Sequence, residues 1–441
     1  MIDQTVFEQK KVAFYTLGCK LNFSETSNVA RQMQEAGFQK VGYHQVADVY
    51  VINTCSVTDL SDKKCRNAIK KAVRQNPNAF VVVTGCYAQL KPGEIAGIEG
   101  VDLILGSNEK TDILQHLDSL EKNGKPRIVA GEILKDKVFK PSFSSGDRTR
   151  SFLKIQDGCD YFCSYCTIPF ARGTSRSDSV TNTVEQAREA AQRGAKEIIL
   201  TGVNIGDFGR KNGESFLELI RALETVEGVE RYRISSIEPN LLTDEIIDFV
   251  ASSGKFMPHF HIPIQSGCNE VLQLMKRKYN RELFASRVSH IKTVIPHAFI
   301  GVDVIVGVNG ETEAYFQETL DFLTGIEASQ LHVFTYSERP NTQALKIEGK
   351  VPVPERQRRS HLLLELSEQK RLGFYKQHLG LEAPVLFEST NHEGIMHGFT
   401  NNYIKVEVPF DRKLVNTIQT VVMKSLTLDK QAIHAEIKPQ P

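Results

Sequence analysis

Three apolar runs in the first quarter of the chain end alike: VAFYTLGC at 12–19, VYVINTC at 49–55 and FVVVTGC at 80–86. Each is continuous and rich in β-branched residues instead of alternating, which fits a strand buried on both faces, as in parallel sheets. Polar helical stretches, SETSNVARQMQEAG and SDKKCRNAIKKAVRQ, separate them. A β/α alternation of this kind builds an α/β layer. A shorter run, VDLIL at 101–105, adds a fourth strand. If the strands are neighbours, Cys19, Cys55 and Cys86 meet on the carboxyl edge of the sheet, where α/β sheets bind ligands. One such residue would be an ordinary buried thiol. Three in the same position read as a three-cysteine cluster, with chance placement as the alternative.

A second series starts at Ser151, after the polar stretch Phe139–Arg150, which reads as a linker. Its strands are SFLKIQ, KEIILTG, RYRISSIEP, HFHIPIQS, FIGVDVIVG and QLHVFTYS, with helical patterns between them. Six units fall short of the eight-fold barrel and predict a partial (β/α) barrel, whose chemistry belongs on the loops after its strands. A long helix from Pro354 to about Leu379 follows. Beyond it PVLFES, YIKVEVPF, TIQTVVMKSLTL and AIHAEIKP read as short strands of a small all-β domain, an open barrel. The expected class is therefore α/β: a parallel α/β sandwich over 1–140, a partial barrel over 145–372 and a β domain over 373–441.

The 441 residues carry a formal net charge of +1, which argues against a general polyanion binder and leaves room for a local basic patch. No stretch supplies the roughly 20 apolar residues that a membrane helix needs. The start, MIDQTVFEQKK, has no apolar signal core, so a cytoplasmic location is expected. Thiols stay reduced there, and clustered cysteines bind metal or do chemistry more often than they pair.

The stretch CDYFCSYCTIPFARG, 159–173, places Cys159, Cys163 and Cys166 at C-x3-C-x2-C on the loop after the first barrel strand. A structural zinc takes four ligands, and no fourth Cys or His lies close by. Three thiolates suit a [4Fe–4S] cluster with one iron lacking a protein ligand. Zinc completed from elsewhere in the chain remains the alternative. Cys65 and Cys268 have no partner at ligand spacing.

This loop resembles that of the radical S-adenosylmethionine (AdoMet) superfamily. The resemblance implies that the open iron chelates AdoMet, that one electron splits the sulfonium to give a 5′-deoxyadenosyl radical, and that Tyr165 packs near the adenine. With the cysteine-bearing sheet before it, the whole order is similar to the methylthiotransferases. TLGCKLN, INTCSVT, TGCYAQ, CSYCTIPFARG, LTGVNIG, HIPIQSG and YSERPNT carry that likeness, and the C-terminal stretch is similar to a TRAM domain in position and strand pattern. The resemblance implies two [4Fe–4S] clusters, one on Cys159, Cys163 and Cys166 that binds AdoMet and an auxiliary one on Cys19, Cys55 and Cys86 that holds sulfur. It also implies conversion of C–H to C–S–CH3, a tRNA partner, a one-electron donor and a sulfur source. Glu25-Thr26 and the tail ARGTSRS resemble the branch acting on threonylcarbamoyladenosine in tRNA. Isopentenyladenosine in tRNA and a ribosomal-protein aspartate are the family's other targets.

Gly202, Glu238 and Gln265 end barrel strands, and the resemblance makes them candidates for the methionine part, ribose or carboxylate of AdoMet. Arg172 and Arg176 are candidates to meet the substrate nucleotide or AdoMet, against a structural ion pair. The basic runs MKRKYNR (275–281) and ERQRR (355–359) are candidates for phosphates, against solvated helix faces. Phe387, Tyr403 and Phe410 would stack on bases or fill the core. His259 and His261 share one face of a strand without a third ligand, and Asp303 reads as a paired strand residue.

Overall fold

In the computed structural model, which describes residues 7–117, 120–146 and 148–439, the N-terminal runs form one six-stranded sheet. The first six residues of the apolar-poor start lie outside the described residues. The strands are β1 (Lys11–Thr16), β2 (Gln39–Val41), β3 (Val49–Thr54), β4 (Phe80–Gly85), β5 (Leu103–Leu105) and β6 (Arg127–Val129). They run parallel in the order β2-β1-β3-β4-β5-β6. β3 and β4 are buried along their whole length, which is why their residues do not alternate. β2 and β6 were not expected. Each is three residues long and largely exposed, so neither leaves an apolar run.

The second series contains β7 (Ser142–Phe143), β8 (Arg150–Lys154), β9 (Gln156–Asp157), β10 (Arg176–Ser177), β11 (Glu197–Thr201), β12 (Arg231–Ile234), β13 (His259–His261), β14 (Phe299–Val306) and β15 (Gln330–Thr335). Its long strands are the six expected ones. β8, β11 and β12 pair in parallel, as do β13, β14 and β15. Parallel bridges Tyr232↔Phe256 and Ser236↔His261 join the two groups. β9 and β10 pair antiparallel beside the cysteine loop. The barrel stays open: β8 takes antiparallel β7 on its far side instead of β15. β7 comes from the stretch expected to be a linker, so that stretch belongs partly to the sheet. The helix Lys20–Glu35 of the N-terminal region packs on β7 and β8.

The helix Val353–Lys376 packs along β15 and leads into β16 (Glu382–Phe387), β17 (Ile395–Thr400), β18 (Lys405–Pro409), β19 (Ile418–Leu426) and β20 (Ile433–Ile437). These close a barrel in the order β16-β17-β18-β20-β19, where an open one was expected. The unexpected β17 lies between β16 and β18. Two arginines fix the barrel's place: Arg231 donates to the carbonyls of Phe399 and Pro384 at 3.1 and 2.9 Å, and Arg233 to those of Asn401 and Thr400 at 2.7 Å. The β domain thus covers the amino ends of the barrel strands and leaves the carboxyl ends to the N-terminal sheet. Among the described residues no helix is long and apolar enough to cross a membrane.

Candidate active site

The cysteine edge follows from register. β1 pairs β3 from Val12↔Val49 to Thr16↔Asn53, and β3 pairs β4 from Val49↔Phe80 to Thr54↔Gly85. The residues just past the strands therefore emerge side by side, and the thiols of Cys19, Cys55 and Cys86 act electrostatically on one another. Two glycines permit this. Gly18 has φ +104°, and a Cβ there would lie 2.8 Å from Cys55 Cβ; Gly85 has φ +96°, and its Cβ would lie 2.4 Å from Asn53 Oδ1. Asn22 ties the turns together, donating to the carbonyls of Leu17 at 2.7 Å and Thr54 at 3.1 Å. Burial pushes the Cys55 thiol up to about 11 and also raises Cys86, which the positive charges of Arg172 and Lys110 oppose. Cys65 is close, yet its thiol donates to the Cys55 carbonyl at 3.3 Å. It braces the site from behind.

The loop from Cys159 to Cys166 wraps its thiols in donors. The backbone N–H of Tyr161 donates to Cys159 Sγ at 3.5 Å and that of Ile168 to Cys166 Sγ at 3.4 Å. Arg277 Nη1 donates to Cys163 Sγ at 3.0 Å. Burial raises all three thiols, Cys166 to about 12; Cys163 and Cys166 further raise Cys159, Cys163 raises Cys166, and Arg277 opposes the rise at Cys163. Such a set takes up iron with loss of its protons, and donors aimed at sulfur stabilise the charge that results. Three adjacent thiols with N–H···S contacts therefore fit a cluster with three protein ligands. Cys268 is elsewhere, its thiol donating to Glu270 at 3.0 Å.

A cavity of about 240 Å³ borders Cys166 of the loop. Val57 and Thr58, just past Cys55, wall one side, while Tyr165, Cys166 and Thr167 wall the other. Gln265, Asp303 and Phe334 also line it. Gln265 has φ +69°, sparsely populated for a side chain of this kind. Its Oε1 is buried with no partner among the described residues, an acceptor that suits a ligand carrying N–H or O–H groups. Glu238 is ion-paired with Arg277; burial pushes its carboxyl up and Arg277 opposes the rise. Tyr165 Oη accepts from Arg277 Nη1 at 3.4 Å. Gly202 packs so closely that a Cβ would lie 3.0 Å from the Gln156 carbonyl, so its lack of a side chain has a packing reason of its own.

Arg172 and Arg176 are not at the cavity. Arg172 is 1% exposed. It donates to Glu25 at 3.0 and 3.1 Å, Asp157 at 3.0 Å and Asn22 at 2.6 Å. Arg176 is held by Asn108 at 2.8 Å, Asp157 at 3.5 Å and three carbonyls. With both terminal nitrogens of each guanidinium engaged inside the protein, the ion-pair reading replaces the substrate contact. Glu25 also pairs with Lys110 and with Lys154 at 2.9 Å, and Asp157 with Lys154 at 2.7 Å. Burial opposes ionisation of both carboxyls, but the surrounding cations outweigh it and hold both below the usual range. The network joins the helix after Cys19 to the segment bearing the cluster loop.

The arginines of the basic runs are paired within the chain, while Lys276 and Lys278 stay exposed. In MKRKYNR, Arg277 serves Cys163 and Glu238, and Arg281 pairs with Glu282 and Glu318. In ERQRR, Arg356 bonds the Val351 carbonyl at 2.8 Å, and Arg359 pairs with Glu311 at 2.8 Å. Arg358 pairs with Glu313 and Glu355. Phe387 is core, and Tyr403 and Phe410 pack against that core. His259 stacks on Phe299 and packs at a tilt against Tyr403, whereas His261 Nε2 meets Asp303 Oδ1 at 2.7 Å. Arg277 and Lys20 are the residues the sequence did not assign to the site. Arg277 was marked only as one cation of MKRKYNR, and Lys20 only by its place beside Cys19.

Residues 11–106 match the family described as Uncharacterized protein family UPF0004, and residues 153–323 match the Radical SAM superfamily. The threonylcarbamoyladenosine tRNA methylthiotransferase MtaB of Bacillus subtilis is 43% identical over 405 residues, covering 90% of this chain and 89% of the relative. The protein of that name from Thermotoga maritima is 38% identical over 419 residues, 95% of each. A tRNA-2-methylthio-N(6)-dimethylallyladenosine synthase of Moorella thermoacetica is 30% identical over 424 residues, 94% of this chain and 95% of the relative. Among solved structures, the radical AdoMet methyltransferase TsrM from Kitasatospora setae shares the fold at a TM-score of 0.55 and 15% identity, over 74% of this chain and 73% of that one. The thiol loop, the open parallel barrel and these identities agree, and the chain belongs to the radical AdoMet methylthiotransferase family, which implies a [4Fe–4S] cluster and AdoMet.

Proposed function

We propose that the chain inserts sulfur and a methyl group at C2 of N6-threonylcarbamoyladenosine next to the anticodon of tRNA, giving the 2-methylthio nucleoside. One observation carries the reading. A single cavity is walled by the residues after Cys55 and by Cys166, so a nucleobase in it would face both thiol sites at once. Relatives named for threonylcarbamoyladenosine, at up to 43% identity, support that substrate. When bound, two [4Fe–4S] clusters and AdoMet supply the radical that opens an inert C–H bond and the sulfur and methyl that replace the hydrogen. The protein's work is placement. Cys159, Cys163 and Cys166 hold the AdoMet-binding cluster, and Cys19, Cys55 and Cys86 the auxiliary one. Tyr165, Gln265 and Glu238 line the AdoMet side. The division at 1–140, 145–372 and 373–441 assigns the last part to a TRAM-like RNA-binding barrel. A one-electron donor and a source of replacement sulfur complete a cytoplasmic tRNA-modification system.

Mass spectrometry of tRNA nucleosides from a deletion strain tests this. The methylthio form of threonylcarbamoyladenosine should vanish and return with the wild-type gene. Cys163→Ala should fail to restore it and fail to cleave AdoMet, while Cys55→Ala should cleave AdoMet without making product. An unchanged nucleoside profile, or loss of methylthiolated isopentenyladenosine instead, would overturn the assignment.

A further inference from the structure

We propose that Lys20 reads the carboxylate of the substrate's threonyl group and so sets specificity for threonylcarbamoyladenosine. This rests on the substrate reading above.

Lys20 follows Cys19 and opens the helix Lys20–Glu35. Its side chain is half-buried and lies within electrostatic reach of Tyr403, Arg150, Arg233 and Asp303. His259 and His332 feel its charge as well. The neighbours already have partners. Arg150 pairs with Glu388 at 3.0 Å, Arg233 with Glu197 at 2.8 Å, and Asp303 Oδ1 with His261 at 2.7 Å. Among the described residues Lys20 itself makes no ion pair and no hydrogen bond. A half-buried ammonium with no direct ion pair, favoured by Asp303 and Tyr403 but opposed by two guanidiniums, gains from a further anion.

Asp303 fixes where that anion would come from, because it both lies within electrostatic reach of Lys20 and lines the cavity that reaches Cys166. A base seated there with C2 toward the thiol sites projects its N6 substituent from C6, meta to C2, and so sideways toward Asp303. A threonylcarbamoyl substituent carries a carboxylate, a hydroxyl and N–H donors. The carboxylate meets Lys20 in a charge-assisted contact. The hydroxyl or an N–H meets the second oxygen of Asp303, and the ring of His332, which makes no hydrogen bond among the described residues, is available to either. An apolar dimethylallyl substituent would bury the ammonium unpaired, and that rejects it strongly.

The test uses reconstituted holoenzyme and tRNA bearing threonylcarbamoyladenosine, with the threonyl carboxylate free or as its methyl ester. For Lys20→Gln, KM on the free acid should rise by roughly 30-fold or more, as for a lost buried charge partner, and by far more than kcat falls. Iron and sulfide content should stay that of the wild type, and Lys20→Arg should recover much of the affinity. The ester should raise the wild-type KM by a similar factor and erase the difference between wild type and Lys20→Gln, a comparison that does not depend on how well the variant folds. An ester used as well as the acid, an unchanged KM in Lys20→Gln, or loss of iron from that variant would overturn the proposal. Wild-type enzyme that ignores this tRNA and modifies isopentenyladenosine would instead bring down the substrate reading, and does so before any variant is made.

Discussion

Arg277 does four things with one guanidinium. It donates from Nη1 to Cys163 Sγ at 3.0 Å and Tyr165 Oη at 3.4 Å, pairs with Glu238, and donates from Nε to Tyr279 Oη at 3.0 Å. A donor on a cluster thiolate favours the more negative, reduced state and raises the reduction potential. Arg277→Met should therefore make the AdoMet-binding cluster harder to reduce and slow AdoMet cleavage, as read by a redox titration followed by electron paramagnetic resonance. It also leaves Glu238 buried without its cation, which costs on the order of 3 kcal/mol. Adding Glu238→Gln should restore most of the stability in thermal unfolding without restoring the potential. A potential that does not move would remove Arg277 from the cluster's surroundings. Arg277 was legible only as one cation in MKRKYNR. A charge run looks the same in sequence whether it meets water, phosphate or a buried partner. Here the partner, Glu238, is 39 residues away.

At the scale of elements, the three cysteine-ending strands were readable because full burial leaves unbroken apolar runs and because parallel strands in step bring their ends together. The joint depends on glycine as much as on cysteine. Gly18→Ala would force φ +104° on a residue with a Cβ and push that atom to 2.8 Å from Cys55 Cβ. The strain is about 1–3 kcal/mol at this turn. The expected result is loss of iron and sulfide from the Cys19, Cys55 and Cys86 site alone, with 5′-deoxyadenosine formation kept and methylthiolated product lost. Iron and sulfide assays beside product analysis check it; full iron content would show that the turn tolerates the methyl group. The elements that escaped sequence reading lack apolar contrast. β2 and β6 are short, exposed edges, and β17, IMHGFT, alternates buried with half-buried residues and carries a histidine and a glycine. Closure of the C-terminal barrel hangs on that strand, so missing it made a closed barrel look open.

Across the whole molecule, the two sequence patterns that pointed to one substrate branch turn out to be partners. Glu25 of the Glu25-Thr26 pair and Arg172 of ARGTSRS meet at 3.0 Å, 147 residues apart in the chain. They sit in a buried set of two carboxylates, Glu25 and Asp157, against four cations, Lys110, Lys154, Arg172 and Arg176. The surplus positive charge lies beside Cys86, where Arg172 and Lys110 favour the thiolate. The network therefore does two jobs: it fixes one cysteine site against the other, and it makes an anionic site acceptable next to the interface. Glu25→Gln would leave four cations with only Asp157 and should cost about 3–5 kcal/mol. Both carboxyls titrate below their unfolded values of about 4.3 for Glu and 3.9 for Asp. Their contribution is thus complete above those values and fades as pH falls through the lower, folded ones. Thermal unfolding should accordingly show a large gap between wild type and Glu25→Gln at neutral pH, narrowing as the pH is lowered past about 4. The catalytic consequence is more specific. A loosened interface lets the radical form without the sulfur site in reach, so Glu25→Gln should keep AdoMet cleavage while yielding fewer methylthiolated nucleosides per 5′-deoxyadenosine released. If both fall in equal proportion, the network stabilises the fold but does not set the distance between the two sites.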